Sequence, residues 1–534
     1  MANPSLQIGN SNWAIKEDNL LGYSTAGTRF VPQPITMTRA SAGTRVNPSG
    51  LVEDVALLGS ELVTNGDFAT ADLSSFTVIY ATQEIVSEEL KTTLNTANGY
   101  GFTRVTFTGE IGKSCKILAS AKQGISTGTR VLAQGGLTLT ASDTYTGDWS
   151  FEGIAVATAT TCQFRLQAYG SNGDYAFFDN VSVKEYTANN LARVDYDGTA
   201  SSLLVEPERT NNLLQSNQFD TTWTLSASID LTSGQSGVGG STDAWLLKRN
   251  STGSRFIAQA LSLSSAQYSY SIYLKAESTN WVYIWSHDGT NTNSAYFDLQ
   301  NGVVGDTSGV NLDGTKIESV GNGWYRCTLI YTQATTIVRV YPAYSNGQVS
   351  TGTDNGIYIQ YSQLELGSYP TSYIPTDGGT VTRVQDQYSK TGISNLIGQT
   401  EGTWFVDVDF DTLSGLNMFL SIRPDSNSKI EMYRDGNLIY GDIVSSSSFT
   451  FIKTGVTVGR YKIALSYSSG SSAMYINGDL ISSNSTSFAF TSTLNDLYVG
   501  SRGGTSFIEQ AKYNDIKLYK TRLSNSELAT LTTI

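Results

Sequence analysis

Large apolar and aromatic side chains recur at every second residue along most of this chain, and the runs break at glycine or asparagine corners. In Tyr268-Ser-Tyr270-Ser-Ile272-Tyr273-Leu274-Lys275, one parity holds Tyr268, Tyr270, Ile272 and Leu274, and the other Ser269, Ser271, Tyr273 and Lys275. A period of two belongs to a strand, because successive side chains point to opposite faces; one buried and one wetted face are expected here. Asp435-Gly436, Asn477-Gly478, Asn346-Gly347 and Asn301-Gly302 each lie between β-type residues, the pattern of tight hairpins. Helical signals are few, the best being Ser524-Asn-Ser-Glu527, a capping box that opens a short helix. The fold class that follows is all-β, built of tandem β-sandwich (jelly-roll) domains.

Two stretches repeat. Leu62-Val-Thr-Asn-Gly-Asp-Phe68 matches Leu213-Leu-Gln-Ser-Asn-Gln-Phe219, and Asn180-Val-Ser-Val-Lys-Glu-Tyr186 matches Gln363-Leu-Glu-Leu-Gly-Ser-Tyr369. The second copy is longer, and its extra residues are expected in loops. Prolines set the boundaries: Pro4, Pro32, Pro34 and Pro48 crowd the first 50 residues, and none falls between Leu62 and Tyr186. Proline cannot donate to a ladder, so the start reads as an extended N-terminal arm and the next segment as compact sheet. The predicted organisation is an arm over 1–60, a first jelly roll over 61–188, a connector over 189–212, a second jelly roll over 213–376 and a third sandwich over 377–534.

Charge narrows the function. Lys and Arg number 34 against 47 Asp and Glu, a net charge of −13 with no basic run, so nucleic acid and anionic membranes are poor partners. One histidine, His287, excludes His-rich metal centres. Cys115, Cys162 and Cys327 cannot build a disulfide framework and read as buried thiols. No basic region runs into an apolar stretch at the N-terminus and apolar runs are strand length, so neither a secretion signal nor membrane insertion is expected. Gly-x-x-x-x-Gly-Lys and His-Glu-x-x-His are missing, no strand-to-helix nucleophile elbow is read, and the chain reads as a non-enzyme.

Sugar binding wants exposed rings beside amides and carboxylates, since pyranose C–H faces stack on aromatics while hydroxyls need hydrogen bonds. On a strand, Trp281, Tyr283 and Trp285 share one face and Val282 and Ile284 the other, with His287 and Asp288 at the rim. This is the leading carbohydrate-binding candidate. Aromatic stripes are more often packing, so a core or interface role is the alternative it must displace. Tyr341 and Tyr344 form a weaker second candidate.

Several stretches resemble ones that recur in virion appendage proteins of tailed bacteriophages, either tail fibres or head-decorating fibres. They are Thr38-Arg39-Ala-Ser-Ala-Gly-Thr-Arg45 with its continuation to Glu53, Arg193-Val-Asp195-Tyr-Asp-Gly198, Leu203-Leu-Val-Glu206-Pro-Glu-Arg209-Thr-Asn211-Asn-Leu-Leu214, Tyr296-Phe-Asp298-Leu-Gln-Asn-Gly302, Gly321-Asn-Gly-Trp324-Tyr-Arg326-Cys327, and Gln363 through Pro375. Both jelly rolls also look like carbohydrate-binding modules. The third sandwich resembles laminin-G and concanavalin-like domains, through Lys462–Tyr467, Ala473–Gly478, Leu497–Gly500 and Tyr513–Leu528. The resemblance implies a virion structural protein, made in the host cytoplasm, that projects lectin-like sandwiches for host-surface glycan adsorption. The alternatives are a capsid decoration protein without ligand and, third, a polysaccharide depolymerase. It implies docking to other virion proteins (capsid, portal or tail) through the N-terminal arm, and a homo-oligomer, with a trimer as the expected form.

In the family the first motif runs directly into the second, whereas here the first jelly roll intervenes. An inserted domain leaves its host ends adjacent, so residues near 20–60 and 189–212 should pack together. Sugar-binding jelly rolls often place a structural calcium ligand near Asp179, which makes calcium the one cofactor to consider, against the reading of an exposed strand carboxylate. Asp435, Asp479 and Asp515 could serve calcium likewise.

Overall fold

The computed structural model describes the chain except residues 1, 10–12, 17–18, 27–28, 140–141, 143, 239, 241 and 446. It separates into two compact units, Ala56–Ala188 and Met1–Val55 with Asn189–Ile534. Strands dominate both, and among the described residues no helix is long and apolar enough to cross a membrane.

Ala56–Ala188 is a two-sheet sandwich. One sheet runs Leu137–Thr138, Trp149–Ala157, Ser114–Lys122, Tyr175–Thr187, Glu89–Leu94, Ala81–Val86 in hydrogen-bonded order, with Leu57–Glu61 also on Tyr175–Thr187. The other runs Gly128–Gly135, Thr161–Tyr169, Tyr100–Thr108, Phe76–Ile79. The alternation appears directly in the core, where Cys115, Ile117 and Ala119 face Val105, Phe107 and Phe164.

In the second jelly roll, Ile257–Ala276 and Trp324–Ala343 pair with each other over most of their length. Register shifts around Ala260, Leu263 and Ala266 bend the pair, so a single hydrogen-bonded sheet folds over into two layers. Their 266–276 and 324–333 halves join Gly356–Leu366, Ala244–Arg249 and Leu312–Ser319; their other halves join Trp281–His287, which carries Thr292–Asp298 and Val303–Ser308. Tyr270, Ile272 and Leu274 from one layer meet Val282, Ile284 and Phe297 from the other.

Three expectations change here. Ser269, Ser271 and Tyr273, read as a wetted face, are buried. Ser271 Oγ accepts from Arg326 Nε (3.2 Å) and Nη2 (2.9 Å), and Tyr273 packs with Val52, Trp324, Tyr361 and Tyr373, so further chain covers that side. Second, extra residues of the second copy form the strands Thr292–Asp298 and Val303–Ser308 rather than loops, and Leu312–Ser319 lengthens the edge strand that Leu137–Thr138 forms in the first copy. Third, the last strands of the two copies align two residues away from the sequence match. Both carry a bulge opposite the long inner strand, after Leu118↔Ser182 in one and Ser271↔Gln363 in the other, with positive φ at Asn180 (53°) and Tyr361 (51°). The counterpart of Asp179 is therefore Gln360, not Ser362. A two-residue slip preserves parity, so alternation cannot detect it.

The third sandwich draws on three parts of the chain. One sheet runs Asp479–Asn484, Ser472–Ile476, Gly459–Ser468, Glu401–Phe410, Ala511–Tyr519. The far edge of Ala511–Tyr519 is completed by Leu6–Gly9 at one end and Ala200–Val205 at the other. The facing sheet runs Gln387–Lys390, Leu497–Val499, Leu416–Ile422, Lys429–Asp435, Leu438–Val444, Phe449–Lys453, and Arg29–Thr38 flanks Gln387–Lys390. The segment read as an arm is thus extended but not free: Leu6, Ile8, Leu20 and Ile35 lie in this core. Its prolines are tolerated because Pro32 and Pro34 share one parity of a ladder with Asn19–Ala26, while the opposite partner begins only at Thr36.

Four of the recurring stretches converge between the second and third sandwiches, through Arg39, Arg193, Glu206 and Ser372. Arg39 Nη1 meets Asp386 Oδ1 at 2.8 Å, Arg193 Nη1 meets Glu206 Oε2 at 2.5 Å, Arg383 Nη1 meets the same oxygen at 2.7 Å, and Arg193 Nη2 also pairs with Asp386. Ser372 N and Oγ donate to Glu206 (2.8 and 2.7 Å). These ionic side chains are buried. Burial alone would raise the Glu206 carboxyl, but the Arg383 and Arg193 guanidiniums outweigh it and hold it well below the usual carboxylate range. The two halves of the connector touch directly: Arg39 N donates to Asn190 Oδ1 (2.9 Å), Asn190 N to Arg39 O (2.9 Å), and Val46 N to Asp195 Oδ1 (2.6 Å).

The chain ends in a helix, Asn525–Thr532, whose N-cap Ser524 forms the expected capping box with Glu527. The three cysteines are free and buried, and burial pushes their thiols up.

Candidate functional site

Trp281–His287 is a strand whose even residues, Val282, Ile284 and Ser286, are buried, while Trp281, Tyr283, Trp285 and His287 are half-buried on the outer face of the second jelly roll. The stripe is therefore not core. Its neighbours come from the adjoining strands, opposite Tyr283 and Trp285: Tyr341 and Arg339 on one side, Tyr296 and Ser294 on the other. Tyr283 lies 4.4 Å from the Tyr296 ring and 5.3 Å from Tyr341, which lies 5.2 Å from Phe256. The Arg339 guanidinium stands 4.2 Å from both the Phe256 and Trp285 rings, and its Nη1 donates to Tyr341 Oη at 3.2 Å. The product is a row of rings with a cation set between two of them, an arrangement worth about 1–2 kcal/mol where partly desolvated.

The rim is as polar as expected. His287 Nδ1 is 2.7 Å from the Asn291 carbonyl oxygen, an acceptor only, so the ring carries its proton there. Asp288 closes the following turn, accepting from Thr290 N (2.7 Å), Asn291 N (2.5 Å) and Asn291 Nδ2 (3.1 Å), and these bonds lower its pKa. Burial first, then the neighbouring Tyr283, pushes the Tyr296 phenol up to about 12, so it stays a donor across the ordinary pH range. Trp281 differs from its companions: a Cβ at Gly305 would stand 2.6 Å from its ring, so the strand Val303–Ser308 lies close against it. Tyr344, 56% exposed, sits in the Tyr344–Gln348 turn apart from the row, whereas Tyr341 is buried within it.

The residues that sequence reading missed are Tyr296, Arg339 and Phe256. Arg339 and Tyr341 share a parity in their strand, and Tyr296 opens a recurring motif. Neither fact reveals that both strands flank Trp281–His287, because strand pairing joins residues far apart in sequence.

Asp179 lies at the bulge of the first jelly roll, where it accepts from Asn180 N (2.6 Å) and Nδ2 (3.1 Å). It helps line a pocket of about 270 Å³ with Glu89, Lys122, Trp149 and Phe177, in which Lys122 pairs with Glu89 at 2.5 Å. Asp515 is held by Lys517 (2.5 Å), Asp435 ends a strand and Asp479 begins one. Among the described residues no three His, Cys, Asp or Glu side chains converge as a metal site.

No family model matches the sequence, and no curated protein matches it. Among solved structures, the chain is similar to the CBM40 module of the Ruminococcus gnavus IT-sialidase bound to α2,3-sialyllactose: 16% identity over 27% of this chain and 91% of that one, with a TM-score of 0.24. Domain 4 of AbnA, a GH43 arabinanase from Geobacillus stearothermophilus in complex with arabinotriose, is 18% identical over 31% and 84%, with a TM-score of 0.25. The binding domain of botulinum neurotoxin serotype G is 14% identical over 27% and 39%, with a TM-score of 0.24. Likeness at this level carries no functional argument.

Proposed function

We propose that this protein is a virion appendage of a tailed phage, a fibre or head-borne decoration whose sandwiches adsorb to host-surface glycan. The observation that carries the glycan part is the outer-face row in which half-buried Tyr296, Tyr283 and Trp285 pack around the buried Tyr341, beside polar rim groups. Rings so placed offer a pyranose its apolar face while hydroxyls meet the rim. Many weak sites on an oligomer, with a trimer as the working form, would multiply into firm adsorption. The virion part rests on the recurring motifs. Attachment to capsid, portal or tail proteins would use folded N-terminal strands, since Leu6–Gly9 and Arg29–Thr38 belong to a sandwich.

Replacing Trp285 by alanine tests the site. The ring is partly exposed but stacks on Arg339, so the variant is expected to stay folded with a melting temperature lowered by about 2–8 °C and to lose at least about tenfold in host-cell adsorption. Unchanged adsorption would sink the reading. Labelled protein imaged on intact particles decides head against tail.

A ligand-free decoration protein is the second reading, favoured by the spending of Arg39, Arg193, Glu206 and Arg383 on an internal ionic network. A blank glycan array together with unimpaired particle assembly would support it. A depolymerase would instead release reducing sugar from host polysaccharide.

A further inference from the structure

The four-stranded sheet of Ala56–Ala188 carries an unusual outer face. Its inward parity supplies core: Val105 and Phe107, Phe164 and Leu166, Val131. The outward parity holds Arg104, Arg165 and Arg130, with Tyr100 and Tyr169, and Tyr80 at the rim. Arg104 stands directly opposite Arg165 on neighbouring strands, which brings like charges within about 5 Å at Cβ and costs stability. The strands Phe76–Ile79, Tyr100–Thr108, Gly128–Gly135 and Thr161–Tyr169 contain no Asp or Glu. Among the described residues, none of the three arginines has an ion-pair partner.

What holds them is neutral. Arg165 lies 4.3 Å over the Phe102 ring and donates to Gln134, and Arg130 lies 5.3 Å over Tyr169. Arg104 Nε and Arg130 Nε are buried and bond to nothing among the described residues, and neither does Oε1 of Gln167, a residue 2% exposed on the same face. Tyr100 lies 6.1 Å from Tyr80 and 6.4 Å from Tyr169. In a chain of net charge −13, three uncompensated guanidiniums on one sheet face are poised for an anion that the chain itself does not supply.

We infer that this face is a second binding site, separate from the aromatic row of the other jelly roll, and that it takes a carboxylated polysaccharide. Sugar carboxylates supply the bidentate partners guanidiniums lack, and sugar hydroxyls suit the half-buried Gln163 and Thr106 side chains on the same face. A nucleic acid fits less well, since three cations neutralise few closely spaced phosphates while the rest of the chain repels them.

The test uses the full-length protein with polygalacturonate, its neutral methyl ester, and a single-stranded DNA oligomer as probes. Polygalacturonate is expected to bind at least about tenfold more tightly than the ester, with affinity falling as NaCl rises. Arg104→Gln with Arg165→Gln should bring the acid form down to the level of the ester. Arg104→Gln alone should raise the melting temperature of this unit by about 1–3 °C, because it removes the opposed charges. Equal binding of acid and ester, or salt-independent binding, overturns the inference and leaves the aromatic site standing. Tighter binding of DNA than of polygalacturonate overturns the choice of polysaccharide. Should the double variant fail to fold, the acid-to-ester ratio and salt dependence of the natural protein still decide.

Discussion

Glu206 shows how much one residue can carry. Its carboxylate takes two guanidiniums, a backbone N–H and a hydroxyl in a site closed to water. Removing one partner from such a buried network leaves charges uncompensated, so Glu206→Gln is expected to cost about 3–5 kcal/mol at neutral pH, read by denaturant unfolding. The folded-state pKa is depressed, so this stabilisation is complete above the unfolded value, near 4.5, and is lost as pH falls below it. The gap between natural and variant protein should therefore close in acid. The loss continues down through the depressed folded-state value, so the gap should already be narrower at pH 3 than at pH 7; a gap of unchanged size would mean that packing, not charge, accounts for the loss. Nothing local in Leu203-Leu-Val-Glu206-Pro announces this role, because the partners Arg193, Ser372 and Arg383 reach Glu206 only through the fold.

At the level of elements, hairpins and the helix were readable from their own residues. Asn477-Gly478 turns between Ile476 and Asp479 with both residues at positive φ (52° and 89°), the conformation that selects Asn-Gly. Ser524 and Glu527 cap the helix for equally local reasons. Pairing was not readable. Leu6–Gly9 finds its partner in Ala511–Tyr519, at the other end of the chain. Deleting residues 1–40 removes Leu6, Ile8, Leu20 and Ile35 from the C-terminal core. At about 1.5–3 kcal/mol each, that loss rivals the whole net stability of a typical domain, about 5–15 kcal/mol. The truncated protein is expected to unfold that sandwich and to aggregate through the bared edge, as seen by size-exclusion chromatography. A soluble monomer with the natural melting profile would show the N-terminal strands to be dispensable. The aromatic row was half legible for the same reason: parity placed Trp281, Tyr283 and Trp285 together, but only pairing adds Tyr296, Tyr341 and Arg339.

For the whole molecule, two units with their own cores make a clear expectation. Ala56–Ala188 expressed alone should unfold cooperatively, and its excision should leave the remaining chain folded, because Arg39, Asn190, Val46 and Asp195 bond without it. Calorimetry of the natural chain, the excised unit and the remainder measures this; an excised chain with no cooperative transition would show the units to be interdependent. The sequence by itself determined the β class, the turns, the cap, the buried thiols and which side chains share a strand face, because each depends on residues within a few positions of one another. Only the tertiary structure decided that the N-terminal segment completes the last sandwich, that Arg39, Arg193, Glu206 and Arg383 meet in one ionic network, and that three arginines face outward with no ion-pair partner among the described residues. Those outcomes depend on which strand lies beside which, and hydrogen-bonded ladders between distant segments leave no periodic trace in either of them.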